Sequence, residues 1–327
     1  MQKYLIFGGT GFIGSHLCKE LMCQADSEIF LVSRNKLNND HWLRHNPKFT
    51  KVNHLICDLG KSSQIRKILK HTFPDKIIFC AGENPSTETK TADLFVYNNI
   101  VNVANFLQCC LAYYKSLESE NKRFFKILNV TTYEIFSKEK DTSSEIIKPK
   151  TIYSATKASA FHLFNAWKST YKLPIINAVC ANNYGNNQNF DKLIPLTINN
   201  LNLRNPILLF NHGQCMRSWI HVSDTAKALS VILEQASIGS CYKIGSNNYL
   251  SNQDLVNKII AIYSKITHTE KEKLYNLISI ADSTHQNAYN HSCGFESMKN
   301  DFNWKPLKSF NNSLATTIQW YLNNNKT

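Results

Sequence analysis

The chain of 327 residues has no long apolar run of the kind that crosses a membrane. No apolar stretch approaches the roughly 20 residues that a membrane span needs. An apolar segment that fits a core strand begins by residue 4, so we expect no signal peptide before the fold. Together these features predict a cytoplasmic protein with no membrane partner.

Metal-site spacing is also absent among the ten cysteines, which include no C-x-x-C pair. Cys80, Cys109, Cys110 and Cys180 have apolar sequence neighbours. Such residues are typical of buried reduced thiols in a reducing compartment. We therefore predict neither a disulfide framework nor a bound metal.

The positive charge is not concentrated in any block of five or six basic residues, although the formal net charge is +13. Nucleic-acid binders usually carry a basic stripe interleaved with aromatic residues, and no such stripe is evident here. The dispersed lysines favour attraction of a small anionic substrate, so we expect no nucleic-acid partner.

No internal repeat or low-complexity linker divides the chain, and 43% hydrophobic residues suffice for a substantial core. Apolar strand-like segments alternate with helical patterns over the first half, which predicts a doubly wound parallel α/β sheet. Strands are predicted at residues 3–7, 28–32, 52–59, 76–82 and 124–130. Helices are predicted at residues 15–22, 62–72 and 93–118, from about Tyr153, and at 255–266 and 314–322.

A glycine-rich turn joins the first strand to the first helix, with Gly8, Gly11 and Gly14 in G-x-x-G-x-x-G spacing. Glycines let the backbone approach an anion, and a helix N-terminus offers free N–H groups and a positive dipole end. The turn predicts dinucleotide binding. The alternative is a tight strand–helix turn that binds nothing.

Polar or small residues follow the other predicted strands, where ligands of such sheets collect. Ser33 and Arg34 stand where NAD-selective folds usually carry an acidic residue for the ribose 2′-hydroxyl. A hydroxyl and a guanidinium suit a 2′-phosphate better, which favours NADP over NAD. The alternatives are that Arg34 stacks on adenine or is solvated.

Tyr153 and Lys157 are four residues apart and share one face of a predicted helix. We expect the lysine ammonium to lower the pKa of the tyrosine and to hold the cofactor ribose. Tyr153 could then move protons to and from a sugar hydroxyl. Thr132, at a preceding strand end, strengthens this interpretation.

Nearly end to end, the chain resembles the extended short-chain dehydrogenase/reductase family, and within it the nucleotide-sugar 4,6-dehydratases of the dTDP-glucose type. The resemblance is carried by residues 153–159 (YSATKAS), 180–185 (CANNYG), 191–195 (DKLIP), 216–224 (MRSWIHVSD), 242–246 (YKIGS) and 304–306 (WKP). It implies a Rossmann-like sheet in residues 1–182 and a smaller nucleotide-sugar substrate lobe in residues 183–327, interwoven at the boundary.

The resemblance also implies roles for individual residues. The catalytic set would be Thr132, Tyr153 and Lys157, with Glu134 as the base that takes the C5 proton. Cofactor contacts would come from Gly8, Gly11, Phe12, Ile13, Gly14, Ser33, Arg34, Asp58, Leu59, Ala81 and Asn99, besides Tyr153 and Lys157. Substrate contacts would come from Glu83, Asn182, Lys192, Arg217, Asn252 and His285.

Several positions depart from the family pattern. Tyr133 replaces the Asp that normally protonates the leaving hydroxyl, so either Glu134 returns its proton to O6 or Tyr133 supplies one. Residues 83–85 are Glu-Asn-Pro instead of Glu-Ser-His, and residues 285–289 are His-Gln-Asn-Ala-Tyr. Asn182 and Asn252 could instead form a turn or a cap. The nucleotide and the sugar therefore stay open.

Other activities would share this fold and the Thr–Tyr–Lys set. The alternatives are a nucleotide-sugar 4-epimerase, decarboxylase or reductase, or a catalytically silent protein that binds NAD(P) or a nucleotide sugar. The predicted helices near 98–117 and 153–170 are apolar on more than one face. The resemblance implies that they pair in a homodimer.

Overall fold

A computed structural model describes residues 1–85, 91–138, 145–281 and 292–324 of the chain. The strands are β1 (Gln2–Phe7), β2 (Ser27–Ser33), β3 (Val52–Ile56), β4 (Lys76–Phe79), β5 (Lys126–Thr132), β6 (Phe136–Lys138), β7 (Glu145–Ile147), β8 (Ile175–Cys180), β9 (Asn182–Tyr184), β10 (Ile207–Phe210), β11 (Met216–His221), β12 (Cys241–Ile244), β13 (Tyr249–Ser251) and β14 (Ile278–Ala281). The α-helices are α1 (Phe12–Leu21), α2 (Ser62–Thr72), α3 (Ala92–Val96), α4 (Asn102–Ser116), α5 (Ser119–Lys122), α6 (Ile152–Tyr171), α7 (Leu193–Leu203), α8 (Val222–Gln235), α9 (Asn252–Thr267), α10 (Lys271–Tyr275), α11 (Glu296–Phe302) and α12 (Phe310–Asn324).

In the described residues, seven parallel strands form the central sheet in the order β12-β8-β5-β4-β1-β2-β3. The chain runs outward from β1 to β3 and then returns to place β4 on the other side of β1. This arrangement confirms the predicted doubly wound sheet. Its strand order reverses between β1 and β4, which is where such sheets bind ligands.

Alternation along the strands divides the apolar core into two layers. In β1, Tyr4 and Ile6 face one layer while Leu5 and Phe7 face the other. Helices α1 and α8 cover the first face, and α2, α4 and α6 cover the second. The carboxyl ends of the strands lie at one edge of the sheet, between the two helical layers, and the candidate site lies at this edge.

A smaller lobe is built from α7, α9, α10 and α12 with the short strands that follow β8, around its own apolar core. Helix α8 and strand β12 nevertheless return to the large sheet, where α8 packs against α1. The two parts are thus interwoven in sequence. The division at residue 182 itself stays a prediction.

Helix α2 has the predicted bounds, whereas four strands end at a different residue than predicted. β2 runs one residue further, to Ser33. β3 stops at Ile56, because Asp58 turns back to accept a hydrogen bond from the Gly60 N–H at 2.9 Å. β4 stops at Phe79, and β5 extends two residues further than predicted, to Thr132. These strand ends determine where the loops around the candidate site begin.

The helical segment Ala92–Ser116 joins α3 and α4 through a π-helical turn at Tyr97–Val101. By length and composition alone this segment could span a membrane, although its sequence contains no long run of consecutive apolar residues. Half of its most apolar stretch is buried in the fold, and buried core helices pass the same test of length and composition. The cytoplasmic location and the absence of a membrane partner stay predictions.

Candidate active site

The glycine-rich turn has the geometry of a phosphate cradle. Gly8 has a φ of +77°, and a Cβ there would lie 2.7 Å from the Ala81 backbone nitrogen. A Cβ on Gly14 would lie 2.4 Å from the Gly8 carbonyl oxygen. Gly11 caps α1 without a side-chain hydrogen bond, so the first N–H groups of α1 can bind an anion. The turn therefore fits a dinucleotide pyrophosphate.

A cavity of about 440 Å³ opens beside this turn along the strand ends. Among the predicted cofactor residues, Gly8, Gly11, Ser33, Arg34, Leu59 and Ala81 line it. Phe12, Ile13 and Gly14 form the first turn of the adjoining α1. Glu83, predicted to contact the substrate, also lines this cavity.

Ser33 and Arg34, the residues that favoured NADP, both have partners within the protein. The Ser33 hydroxyl donates to the Asn35 carbonyl oxygen at 2.7 Å and contacts His54 Nε2 at 2.8 Å. The Arg34 guanidinium lies 3.6 Å from the Glu83 carboxylate, and its side chain is 64% exposed. A 2′-phosphate would compete with Glu83 for this arginine.

Asn99 lies in the π-helical turn and holds the loop after β4. Its side-chain oxygen accepts from the Glu83 N–H at 2.7 Å, and its amide nitrogen donates to the Glu83 carbonyl oxygen at 3.1 Å. The same nitrogen donates to the Thr156 hydroxyl on α6 at 3.1 Å. Asn99 thus positions the wall of the cavity, as a π-helical turn at a functional site often does.

The structure places Thr132, Tyr153 and Lys157 at the carboxyl edge of the sheet, and their catalytic roles stay predictions. Thr132 ends β5 and hydrogen-bonds the Tyr153 hydroxyl, which also donates to Asn84 Oδ1 at 3.3 Å. Lys157, on the next turn of α6, is buried, and its ammonium lies 3.5 Å from the position that a Gly82 Cβ would take. The set is held at the carboxyl edge of the sheet.

The pKa of Tyr153 is raised in the structure, contrary to the expected lowering by Lys157. Burial is the largest cause that raises the pKa of Tyr153, and the nearby Glu134 carboxylate raises it further. The hydrogen bond with Thr132 lowers it. Burial also lowers the pKa of Lys157. The sequence spacing could not reveal this, because it contains neither the desolvation of the phenol nor the proximity of Glu134.

Glu134 faces the site, whereas Tyr133 faces the core. Burial raises the pKa of Glu134, and Arg217 and Lys192 partly oppose that shift. The Tyr133 ring is buried against Phe136 at 5.6 Å, with the Lys243 ammonium 5.6 Å from its centroid. This placement favours Glu134 over Tyr133 as the proton donor.

Apart from Glu83, the predicted substrate residues within the described chain follow β8 and come from several short elements. Lys192 precedes α7, donates to the Pro85 carbonyl oxygen across the site and pairs with Asp191 at 3.0 Å. Arg217 lies on β11 and acts electrostatically on Glu134. Lys192 and Arg217 therefore bring two cations to the Glu134 side of the site.

Asn182 begins β9 beside Trp219, and Asn252 begins α9 with its N–H bonded to the Cys215 carbonyl oxygen at 3.1 Å. His285 lies outside the described residues. Neither asparagine side chain caps a helix: the cap of α9 is the Ser251 side chain. Their contacts with a substrate stay predictions.

Sequence reasoning missed Asn98 and Asn102, which also line the cavity. They are four residues apart on a helix that stood out only for its apolar faces. Their i, i+4 spacing in an otherwise apolar segment was the available signal. Asn84 was noticed only as a departure from the family pattern, and its contact with Tyr153 needs the folded chain.

Comparisons with known proteins agree with this geometry. A family model described as "NAD dependent epimerase/dehydratase family" matches residues 4–245. The dTDP-glucose 4,6-dehydratase of Haemophilus influenzae is 30% identical over 340 residues, covering 99% of this chain and 99% of that protein. The enzyme of the same name from Neisseria gonorrhoeae is 28% identical, covering 99% and 96%.

Solved structures show the same similarity. The dTDP-glucose 4,6-dehydratase of Bacillus anthracis, in complex with NAD, is 27% identical with a TM-score of 0.84, covering 99% of this chain and 97% of that one. A UDP-glucuronic acid 4-epimerase of Bacillus cereus is 20% identical with a TM-score of 0.82, covering 98% and 99%. The second likeness concerns the fold alone.

Proposed function

Because the chain belongs to the NAD-dependent epimerase/dehydratase family, we propose that it is a nucleotide-sugar 4,6-dehydratase. Its substrate would be a dTDP- or UDP-glucose-like nucleotide sugar, and its product the 4-keto-6-deoxy sugar. The observation that carries this proposal is Glu134 beside Tyr153, with Arg217 and Lys192 acting on the same carboxylate. A 4-epimerase has no need of this carboxylate.

The first step oxidises C4 of the sugar, with Tyr153 as the base that takes the O4 proton. When bound, the oxidised nicotinamide cofactor would supply a positively charged ring as the acceptor of the C4 hydride. The same cofactor would supply the hydride that C6 receives after water has left. The Thr132 hydrogen bond favours the ionised phenol that burial disfavours. Lys157 would hold the cofactor ribose and keep Tyr153 in place.

The second step eliminates water between C5 and C6. The C4 carbonyl acidifies the C5 proton, which Glu134 removes while the C6–O6 bond breaks. Glu134 then passes that proton to the departing O6 as water leaves, because the Tyr133 ring is buried in the core. After hydride returns to C6, C5 takes up one proton, and the O4 proton that Tyr153 removed in the first step balances this uptake. A carboxyl with a raised pKa suits both halves of this exchange.

Two cations of the smaller lobe would hold the nucleotide diphosphate. A guanidinium binds phosphate oxygens in a fork, and an ammonium binds them as a point charge. We therefore assign Arg217 and Lys192 to the diphosphate, and Asn182, Asn252 and His285 to the nucleotide. These cations would also draw the anionic substrate toward Glu134.

For the cofactor, the NAD bound to the Bacillus anthracis dehydratase supports NAD as one that this chain can use. The preference for NADP that Ser33 and Arg34 favour is a further proposal, and it requires Arg34 to leave Glu83. Equilibrium titration with both dinucleotides tests it. A tighter Kd for NAD would contradict it.

We also propose a homodimer formed through the predicted helices near 98–117 and 153–170, which correspond to the later part of the helical segment Ala92–Ser116 and to α6. Val96 (43%), Val101 (49%) and Ile152 (55%) are exposed there and would be covered by a second copy. Light scattering on the purified chain tests this assembly. A monomeric mass would contradict it.

The activity test is incubation of the full chain with NAD and either dTDP-glucose or UDP-glucose. Mass spectrometry should detect loss of one water and formation of a 4-keto-6-deoxy product. Glu134→Gln should lower turnover at least ~100-fold, and Tyr153→Phe should abolish the initial oxidation. A product of unchanged mass would indicate an epimerase, and no product from any nucleotide sugar would indicate a silent binding protein.

A further inference from the structure

Asn84, in the loop after β4, faces the hydroxyl of Tyr153. The phenol donates to Asn84 Oδ1 at 3.3 Å. Asn84 is exposed and also lines the dinucleotide cavity. It therefore touches the base that the proposed mechanism uses in its first step.

A chain of hydrogen bonds fixes where the phenol proton lies. Thr132 Oγ1 accepts from the Glu134 N–H at 3.2 Å. The hydroxyl hydrogen of Thr132 is directed to the Tyr153 oxygen, which is why this bond lowers the pKa of Tyr153. Since Tyr153 accepts from Thr132, its own hydrogen points to Asn84. The phenol proton thus lies on the cavity side.

The loop that carries Asn84 is held through its neighbour Glu83. The Glu83 backbone makes two hydrogen bonds with the Asn99 side chain, at 2.7 and 3.1 Å. Its carboxylate accepts from the Asn98 amide at 3.2 Å and lies 3.6 Å from the Arg34 guanidinium. These contacts on the preceding residue fix the position from which Asn84 reaches the phenol.

An amide can serve a phenol in both of its protonation states. Its oxygen accepts from the neutral phenol, and after a half-turn of the amide its NH₂ group donates to the phenolate. A hydrogen bond to an ionised group is about twice as strong as a neutral one, so this exchange favours the phenolate. A carboxylate could only accept, and an apolar side chain could do neither.

We propose that Asn84 is a positioning residue for C4 oxidation, whose amide accepts from the Tyr153 phenol and, after turning, donates to the phenolate. The phenol proton leaves to solvent through the cavity before oxidation. The phenolate then takes the O4 proton while hydride leaves C4 for the oxidised cofactor. This inference rests on the proposed dehydratase reaction.

The other titratable groups near Tyr153 come from three elements. Glu134 follows β5, Cys180 ends β8, and Lys157 lies one turn along α6. Burial raises the pKa of Cys180 and lowers that of Lys157. All three groups are shared by variants that differ only at residue 84, so a difference in pH dependence between such variants belongs to Asn84.

The test isolates the first step in full-length Glu134→Gln, in which loss of water is slow and no carboxylate titrates at residue 134. This parent is mixed rapidly with NAD and with dTDP-glucose or UDP-glucose. The absorbance of the reduced nicotinamide gives the rate of hydride transfer, which should rise with pH and level off once Tyr153 is ionised. Should this parent give no signal, the same variants are made in wild type and the pH curve of product formation decides.

Three substitutions in this parent separate the roles of the amide. Asn84→Asp should move the curve upward by about one pH unit, because a carboxylate repels the phenolate. Asn84→Leu should move it upward by about half a unit, because the phenolate loses a donor. Asn84→Ser should bring it back to within about 0.3 unit of the parent, because a hydroxyl both accepts and donates.

Asn35→Asp is the matched control, because Asn35 is exposed and lines the cavity but follows β2, two strands away from β4. It adds the same charge and should leave the curve in place. An equal shift in Asn35→Asp, or curves for Asn84→Asp and Asn84→Leu that coincide with the parent, would overturn the role of Asn84. No product from wild type with either nucleotide sugar would instead contradict the proposed function.

Discussion

At the scale of single residues, the chemistry depends most on the environment of Glu134. Burial raises the pKa of this carboxyl, and two cations limit the shift. A carboxyl in this state can both take the C5 proton and give it back. This is how one residue could do the work that the related dehydratases divide between two.

The first prediction concerns the pH dependence of turnover. Glu134 must be ionised to remove the C5 proton, so kcat should rise with pH through its raised pKa. The acid limb of a pH–rate profile for product formation should therefore lie above the ordinary carboxyl pKa of about 4.3. A limb at or below that value would contradict the assignment.

The stability of Glu134→Gln provides the control for this assignment. A carboxyl whose pKa is raised in the folded state contributes stability at low pH that is lost as pH rises through that pKa. The neutral Gln avoids that loss. Glu134→Gln should thus unfold at a higher temperature than wild type at pH 8 and at an equal temperature near pH 4, by calorimetry.

The second prediction concerns cofactor choice through Arg34. Glu83→Gln removes the carboxylate that pairs with Arg34 at 3.6 Å, which leaves the guanidinium free for a 2′-phosphate. The Arg34 side chain is 64% exposed and that of Glu83 is 8% exposed; a pair screened by solvent on one side is worth about 0.2–1 kcal/mol, so NADP should bind about 1.4-fold to fivefold more tightly. The Kd for NAD measured by the same titration should change less.

Arg34→Gln should cancel the gain when combined with Glu83→Gln. If NADP binds equally well to Glu83→Gln and to wild type, then Arg34 has no part in recognition of the 2′-phosphate.

At the scale of elements, the connection from β1 to α1 was predictable because everything it needs is local. Three glycines, an apolar strand and a helix follow one another in sequence. The π-helical turn at Tyr97–Val101 was not predictable, because its Asn99 bonds the Glu83 backbone, 16 residues away. Contacts of that kind exist only once β4 and the helix are packed together.

The third prediction tests the packing of this connection. A Cβ at Gly14 would lie 2.4 Å from the Gly8 carbonyl oxygen and 2.9 Å from Gly9 Cα, and backbone atoms there cannot move aside cheaply. Gly14→Ala should therefore lower the free energy of unfolding by about 1–3 kcal/mol and weaken dinucleotide binding. Urea denaturation of the ligand-free chain measures the first effect.

Gly11→Ala is the matched control in the same turn. Gly11 has a φ of −74°, and its Cβ would meet one atom, the Gly8 carbonyl oxygen, at 3.2 Å. It should lose much less stability than Gly14→Ala. Equal losses would show that the loss comes from removing glycine as such and not from close packing.

At the scale of the whole molecule, the site joins the large sheet to the smaller lobe. Thr132 and Tyr153 come from the sheet and its covering helix, while Lys192 reaches the Pro85 carbonyl oxygen from the lobe. The sequence motifs predicted which residues meet, because the resemblance to a family carries tertiary information. They did not predict the burial that raises the pKa of Tyr153, which depends on the packing of this particular chain.

The last prediction concerns assembly. Val96 and Val101 are exposed on the helical segment that we propose as the dimer interface, and Leu208 is comparably exposed, at 55%, on β10 of the smaller lobe. Light scattering should give wild type about twice the chain mass of 37.5 kDa. Val101→Glu should give the monomer mass, because a carboxylate buried in an apolar interface without a partner is strongly disfavoured.

Leu208→Glu is the control, because it adds the same charge to an apolar surface outside the proposed interface, and it should stay dimeric. If Val101→Glu stays dimeric and Leu208→Glu dissociates, the copies associate through the smaller lobe instead.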